Sequence, residues 1–178
     1  MTATSRDVWE YMTPIRGYFG RTNTEKLYEY AMQSPGVIAE IGIEQGRSAS
    51  VLMFAARHTG AEVLLVDYWK ENVEAVSDRF CADFPDVKLS FCQFPSVEAA
   101  KLVSPDTEFS LIHIDADHCG DAPEKDCIAW LPKVKAGGIA CFHDYGGNFE
   151  AVKPAVDKHT AGWEDLGVWD GLAIRRKP

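Results

Sequence analysis

Short apolar runs recur along this chain, and each is followed by a segment whose apolar positions carry helical spacing. The runs fall at 37–41, 62–66, 87–92, 109–114 and 139–142. They are nearly continuous in apolar character, which is the pattern of strands buried on both faces. The intervening segments predict helices over 48–58, closed by Gly60; over 72–84, stopped by Pro85; over 96–103; over 121–133, ended by Gly137-Gly138; and over 149–158, carrying Pro154. Five strand–helix pairs in succession predict an α/β fold, a mainly parallel sheet covered on both sides. Two further runs, 166–169 and 172–175, have no helix between them, and Asp170-Gly171 at their junction is a hairpin signal. A hairpin there places one antiparallel strand in the sheet. The N-terminal third is helical in pattern. Thr22-Asn23-Thr24-Glu25 predicts a capping box, with Thr22 as cap and Glu25 reaching back. Leu27, Tyr28, Ala31 and Met32 share one face of that helix, which Ser34-Pro35-Gly36 ends, and residues 5–20 read as a shorter helix and a turn. Asp121 and Glu124 form a second capping-box pattern.

With 178 residues and 46% apolar composition, the chain reads as one domain, 1–178, with a helical segment (1–35) leading into an α/β core (36–178). Its net charge of -9 and its one basic cluster, Arg175-Arg176-Lys177, argue against nucleic acid as a partner. Small polar or cationic ligands and metal ions suit such a chain better. The five cysteines are unpaired in spacing, so no disulfide framework is expected; Cys92 and Cys141 sit in apolar runs as core thiols, and Cys119 in a charged loop. The first 14 residues lack an apolar signal core, and the longest apolar run, 51–56, is far short of the ~20 residues that span a bilayer. A cytoplasmic protein with no membrane partner is the expectation.

The chemistry gathers at the strand exits, where doubly wound sheets bind ligands. The first exit carries Glu40-Ile-Gly42-Ile-Glu44-Gln45-Gly46-Arg47-Ser48, a strand, a glycine-bearing turn and a helix start. A dinucleotide fingerprint would have a glycine where Glu44 stands, and an anionic side chain faces a pyrophosphate badly. The turn therefore suits a cofactor without phosphate. Asp67 ends the second strand at the offset where a carboxylate accepts hydrogen bonds from ribose hydroxyls; a solvated strand end is the alternative. Tyr68 and Trp69 follow it, as core packing or as a face for a planar base. The fourth exit gives Asp115-Ala-Asp117-His118 and the fifth His143-Asp144-Tyr145. If these strands are neighbours, ~4.8 Å apart, Asp115 and Asp144 converge. Two such carboxylates call for a shared proton or a cation, and a divalent ion such as Mg²⁺ fits, with His143 or Asp117 completing the shell. His118 is placed to act as a general base. A solvated, helix-capping loop is the alternative.

These residues resemble class I S-adenosylmethionine-dependent methyltransferases, and more narrowly the macrocin- and catechol-type O-methyltransferases. The carrying motifs are the Glu40–Ser48 turn, Val66-Asp67, Ile112-His-Ile-Asp115-Ala-Asp117-His118, and Leu131-Pro-Lys-Val-Lys-Ala-Gly137-Gly138 with Phe142-His143-Asp144-Tyr145, together spanning roughly residues 36–175. The resemblance implies a Rossmann-like sheet in the order 3-2-1-4-5-7-6 with strand 7 antiparallel. It implies that Glu40, Gly42 and Gly46 shape the methionine side of an S-adenosyl-L-methionine site, that Asp67 holds the ribose, and that Ser96 lies near the adenine; Ser48, Tyr68 and Asp115 are further candidates for binding the cofactor. It implies catalytic roles for Asp115, His118 as base, and Asp144, and a metal held by Asp115, His143 and Asp144. Members of the family often carry Glu at the position of His143; an imidazole is a softer ligand, which brings Mn²⁺, Zn²⁺ or no metal into consideration beside Mg²⁺. The expected activity is O-methylation of a small-molecule acceptor. Two alternatives stay open: a non-catalytic relative that binds the cofactor, and a nicotinamide enzyme on a similar fold, against which Glu44 counts. No lid insertion interrupts 36–175, so the acceptor pocket must come from the N-terminal segment, where Trp9, Tyr11, Tyr18 and Phe19 are candidates, from the loop 145–148, or from a second subunit of a homo-oligomer.

Overall fold

The computed structural model describes residues 3–178. Seven strands form one sheet: β1 (Val37–Ile41), β2 (Glu62–Val66), β3 (Leu89–Cys92), β4 (Phe109–Ile114), β5 (Val134–Phe142), β6 (Glu164–Trp169) and β7 (Leu172–Arg176). Their order is β3-β2-β1-β4-β5-β7-β6, the order expected. β1 to β5 are parallel, and β7 runs antiparallel to both of its neighbours. The β6–β7 hairpin turns at Asp170 and Gly171, both with positive φ (45° and 81°), as a two-residue turn matched to strand twist requires.

Seven helices cover the sheet: α1 (Ser5–Met12), α2 (Arg21–Ala31), α3 (Arg47–Thr59), α4 (Lys70–Asp83), α5 (Ser96–Leu102), α6 (Ala122–Trp130) and α7 (Val152–His159). α1 to α4 pack on one face and α5 to α7 on the other, giving two separate apolar layers. Alternation along each strand divides its side chains between them: Ile38 and Leu111 enter the first layer, Ala39 and Ile112 the second. Among the described residues no helix is long and apolar enough to cross a membrane.

Four local expectations are corrected. The helix predicted to start at Thr22 begins at Arg21 with Gly20 as cap, so Thr22 lies inside it and cannot cap. Glu25 instead pairs with Arg21 at 3.0 Å, an i,i+4 ion pair. A complete capping box does exist, one helix earlier, between Thr4 and Asp7. At α6, Asp121 occupies the cap position but its carboxylate turns to Lys125 (2.8 Å), and Glu124 turns to Lys158, so the second box does not form. Finally, Gly137-Gly138 does not end a helix. Pro132, which cannot continue an α-helix, converts the chain to a 3₁₀ turn at Leu131–Lys133, and β5 then runs through both glycines. Of the two expected core thiols, Cys141 is fully buried; Cys92, on edge strand β3, is only half-buried.

The N-terminal helices are tied to the core by one side chain. Arg47, at the start of α3, donates from Nη1 to the carbonyls of Met12 (3.1 Å), Thr13 (3.2 Å) and Ile15 (2.6 Å), and from Nε to that of Phe19 (2.9 Å). The planar guanidinium fork suits such convergent carbonyls. It fixes the loop between α1 and α2 against the exit of β1.

Two predictions follow from this packing. Gly42→Ala places a β-carbon 2.1 Å from the Asp115 carbonyl oxygen at φ +87°, whereas Gly60→Ala at φ +73° meets nothing within 4 Å. Chemical denaturation is expected to show a loss of about 3–5 kcal/mol for the first and about 1 kcal/mol for the second; equal losses would mean the clash is absent. Arg47→Ala is expected to cost about 2–3 kcal/mol and to speed amide exchange in residues 13–20 at least tenfold, with Arg47→Lys restoring less than half. Unchanged exchange there would show that the loop is held by other contacts.

Candidate functional site

The turn after β1 is held by its neighbours on both sides. The Gly42 N–H donates to the Val66 carbonyl (2.8 Å) and the Asp115 N–H to that of Ile41 (2.8 Å), so the exits of β1, β2 and β4 meet at Gly42. Asp67 clamps the turn. Its Oδ2 accepts from the N–H groups of Ile43 (3.1 Å) and Glu44 (3.0 Å), and its Oδ1 from Trp69 (2.9 Å). A carboxylate has about four acceptor sites, so Oδ1 keeps one lone pair. Glu44 stands at φ 45°, an uncommon backbone state for a side chain other than glycine. Gly46, at φ 76°, opens α3 and faces α4: a β-carbon there would meet Arg79 at 2.7 Å and Val76 at 3.0 Å.

Glu40 lies behind the turn, fully buried. The sheet register sets it beside His113, and its Oε1 lies 2.8 Å from His113 Nδ1. Burial raises the Glu40 pKa, opposed by His113 and Ser48. Glu40 Oε2 and His113 Nε2 have no hydrogen-bond partner among the described residues.

Two cavities open at the strand exits. The first, of about 600 Å³, runs from Gly42 and Asp67 past Tyr68 and Trp69 to Ser96 and Asp126. Tyr68 and Trp69 are half-exposed and stack on each other, with ring centroids 4.4 Å apart. Ser96 donates its hydroxyl hydrogen to Asp126 and accepts from Trp130 Nε1 at 2.9 Å. The second cavity, of about 700 Å³, is bounded by Tyr18, Phe19, Ser48, His143, Asn148 and Phe149. Gly42, Glu44, Asp115, Ala116 and His118 line both. Of the four aromatic residues considered for an acceptor pocket, Tyr18 and Phe19 are in its wall; Trp9 packs over Arg47, and Tyr11 sits in the core against Phe54 and Phe84.

At the shared wall, two aspartates and two histidines form a ring. His118 Nε2 lies 3.2 Å from Asp115 Oδ1 and 3.1 Å from Asp144 Oδ2. His143 Nδ1 lies 3.3 Å and 3.2 Å from the same two atoms. β4 and β5 are neighbours, which is what brings Asp115 and Asp144 together; Asp144 at φ 57° turns its side chain back toward the strand ends. Burial acts to lower the pKa of His118, but its bonds to both aspartates outweigh it and push it up to about 9. The same opposition pushes His143 up to about 10. Burial acts to raise Asp115, and the two imidazoles overcome it and hold it well below the usual range. At Asp144 the His118 bond leads in the same downward direction. Ligand atoms of Asp115, His118 and Asp144 all lie within 4.8 Å of one another, a spacing that a divalent ion can bridge. The donor set fits such an ion: two carboxylate oxygens with imidazole nitrogen, a mixture that suits Mn²⁺ or Zn²⁺ as well as Mg²⁺. Asp117, weighed for that shell, instead accepts from the Cys119 N–H at 2.9 Å and closes its own loop.

Sequence reasoning did not single out His113, Asp126 or Phe149. His113 becomes visible only once the β1–β4 register is known. Asp126 lies within a helix whose pattern gave no reason to separate it from a solvated face. Phe149, expected to open a helix over 149–158, lies instead in the loop before α7, which starts at Val152, and stacks on the His118 ring at 4.5 Å.

The sequence matches the Methyltransferase domain family over residues 39–145, which holds the β1 turn, the β4 and β5 exits and the ring of aspartates and histidines. Solved structures share the fold at low identity. A *Podospora anserina* methyltransferase bound to S-adenosylhomocysteine is 20% identical, with a TM-score of 0.73 over 98% of this chain and 87% of that one. A putative caffeoyl-CoA O-methyltransferase from *Staphylococcus aureus* is 16% identical, with a TM-score of 0.73 over 99% and 93%. A TDP-rhamnose 3'-O-methyltransferase of calicheamicin biosynthesis is 16% identical, with a TM-score of 0.67 over 97% and 92%. At such identities the structural likenesses speak for the fold, while the family match covers more than half of the chain and includes the site: the chain belongs to the Methyltransferase domain family and is a methyltransferase.

Proposed function

We propose that this protein transfers the methyl group of S-adenosylmethionine to a hydroxyl oxygen of a small polar acceptor. The observation that carries the reading is the shared wall: the first cavity takes the cofactor, the second takes the acceptor, and they meet at Gly42, Asp115 and His118. In the first cavity Asp67 offers its remaining lone pair to a ribose hydroxyl, and Tyr68 and Trp69 offer planar faces. Glu44, lining both cavities, favours a sulfonium or ammonium group over a phosphate. Methyl transfer needs the acceptor oxygen in line with the departing sulfur, so most of the rate gain comes from positioning.

The ring of aspartates and histidines is the group that would handle the acceptor's proton. His118 lines both cavities, and Phe149 holds its ring by stacking. As an imidazolium between two carboxylates, His118 keeps its proton near neutrality. It becomes a base once another cation balances Asp115 and Asp144. A divalent ion held by Asp115 and Asp144, with the imidazole of His143 (3.3 and 3.2 Å from the same two oxygens) as third ligand in place of His118, would supply that charge, lower the pKa of an acceptor hydroxyl and leave His118 free. Asp115 and Asp144 then orient the acceptor, and His118 receives its proton. A small polar acceptor suits the second cavity, whose wall combines Asp144, Asn148 and Asp170 with Tyr18 and Phe149.

Calorimetry is expected to show binding of S-adenosylmethionine and none of NAD; the reverse would sink the reading. With an acceptor found by screening for S-adenosylhomocysteine release, His118→Ala and Asp144→Asn are each expected to lower kcat at least ~100-fold while leaving cofactor affinity within about threefold. Undiminished turnover in both variants would remove the ring from the mechanism.

A further inference from the structure

One buried carboxylate outside the ring lacks a full set of partners. Asp126, on α6, is 3% exposed yet lines the first cavity. Its Oδ1 accepts the Ser96 hydroxyl hydrogen, and among the described residues no protein group donates to Oδ2. Burial pushes this carboxyl up to about 6, with the Ser96 bond opposing it only in part. Oδ2 opens on the cavity, so a ligand that brings a donor can bond to it there.

The neighbouring groups narrow the chemistry of that ligand. Ser96 has one proton and gives it to Asp126, and it accepts from Trp130, so toward the cavity it offers a lone pair only. Lys125, on the same wall, is held by Asp121 at 2.8 Å. The side chains at this end therefore present acceptors to the ligand's edge, while the first N–H groups of α5, at Ser96, Val97 and Glu98, have no partner within the helix and can donate to a ring nitrogen. The flanking surfaces are apolar and flat: Phe94 with Pro95, and the Tyr68–Trp69 stack. A planar heterocycle with N–H donors on its edge fits this arrangement, and one with a carbonyl in their place would set lone pair against lone pair.

Resting on the cofactor reading above, we propose that Asp126 is the specificity-determining residue for the purine: its free oxygen accepts a hydrogen from the exocyclic amine of adenine. Ser96 supports this by holding the other carboxylate oxygen in place. The assignment keeps Ser96 near the adenine, as expected, and gives the contact with the amine to Asp126 because the Ser96 proton is already committed.

The test uses the whole protein and two ligands that differ at the amine, S-adenosylhomocysteine and S-inosylhomocysteine, measured by calorimetry. Wild type is expected to prefer the adenine compound by at least about 30-fold, since a site built for a hydrogen bond rejects an analogue that cannot make it. In Asp126→Asn, whose amide donates to a carbonyl, the ratio is expected to fall within about threefold. Ser96→Ala keeps the carboxylate and is expected to retain at least a tenfold preference, with circular dichroism and thermal denaturation confirming that both variants fold. Equal affinity of wild type for the two ligands would overturn the proposal while leaving the cofactor reading intact. Loss of the preference in Ser96→Ala, or its survival in Asp126→Asn, would also overturn it. Binding of neither ligand by wild type would overturn the cofactor reading and this inference with it.

Discussion

At Gly42 the chain leaving β1 passes so close to β4 that a β-carbon would stand 2.1 Å from the Asp115 carbonyl oxygen. That approach sets the geometry of everything around it. It lets the β1 turn and the Asp115 loop share one wall, so that the two cavities adjoin. Asp67 reinforces it from the other side by taking the turn's N–H groups on its carboxylate. The turn is therefore fixed before any ligand arrives, and preorganisation of this kind is what methyl transfer, a reaction limited mainly by alignment, draws upon.

Charge balance governs the other half of the wall. Asp115 and Asp144 are brought together by strand adjacency, and two carboxylates at that separation need positive charge between them. Two imidazoles supply it in the structure, and a divalent ion would supply it in their place. The residue types serve both states, because a histidine is a cation when protonated and a metal ligand when neutral. The same side chains thus keep the ring intact when its balancing charge changes. His118 alone among them combines exposure to both cavities with stacking on a loop residue, Phe149, which separates its role from that of the more deeply set His143.

Glu40 and His113 underlie both halves. They occupy adjacent strands in register and continue across the sheet to Cys141 and Ile174. Phe19 packs against the rings of both His113 and His143, at 5.5 and 5.4 Å, and so links the buried pair to the ring. Arg47 holds the carbonyl of that same Phe19. The N-terminal segment, which forms one side of the second cavity, is in this way coupled to the β1 turn by one guanidinium and to the aspartate–histidine ring by one phenyl group.

The apolar runs mark the strands because a parallel sheet covered on both faces needs nearly continuous apolar segments, and Gly42, Asp67, Asp115, His118 and Asp144 stand at their exits in the sequence itself. The Glu44 substitution likewise argued from the chain alone against a pyrophosphate. Helix starts were less legible: Thr22 and Asp121 have the side chains of caps, yet Arg21–Glu25 and Asp121–Lys125 pairing drew those groups elsewhere, a competition that local pattern does not resolve. Gly137-Gly138 read as a helix stop, although Pro132 had already ended the helix. What tertiary structure alone decided is which distant residues share a register or a cavity. Glu40 meets His113, Arg47 gathers four carbonyls, and Asp126 lines the first cavity, because strand order and helix docking place them there. Sequence spacing carries the period of an element, but contacts between elements depend on how their faces come to pack.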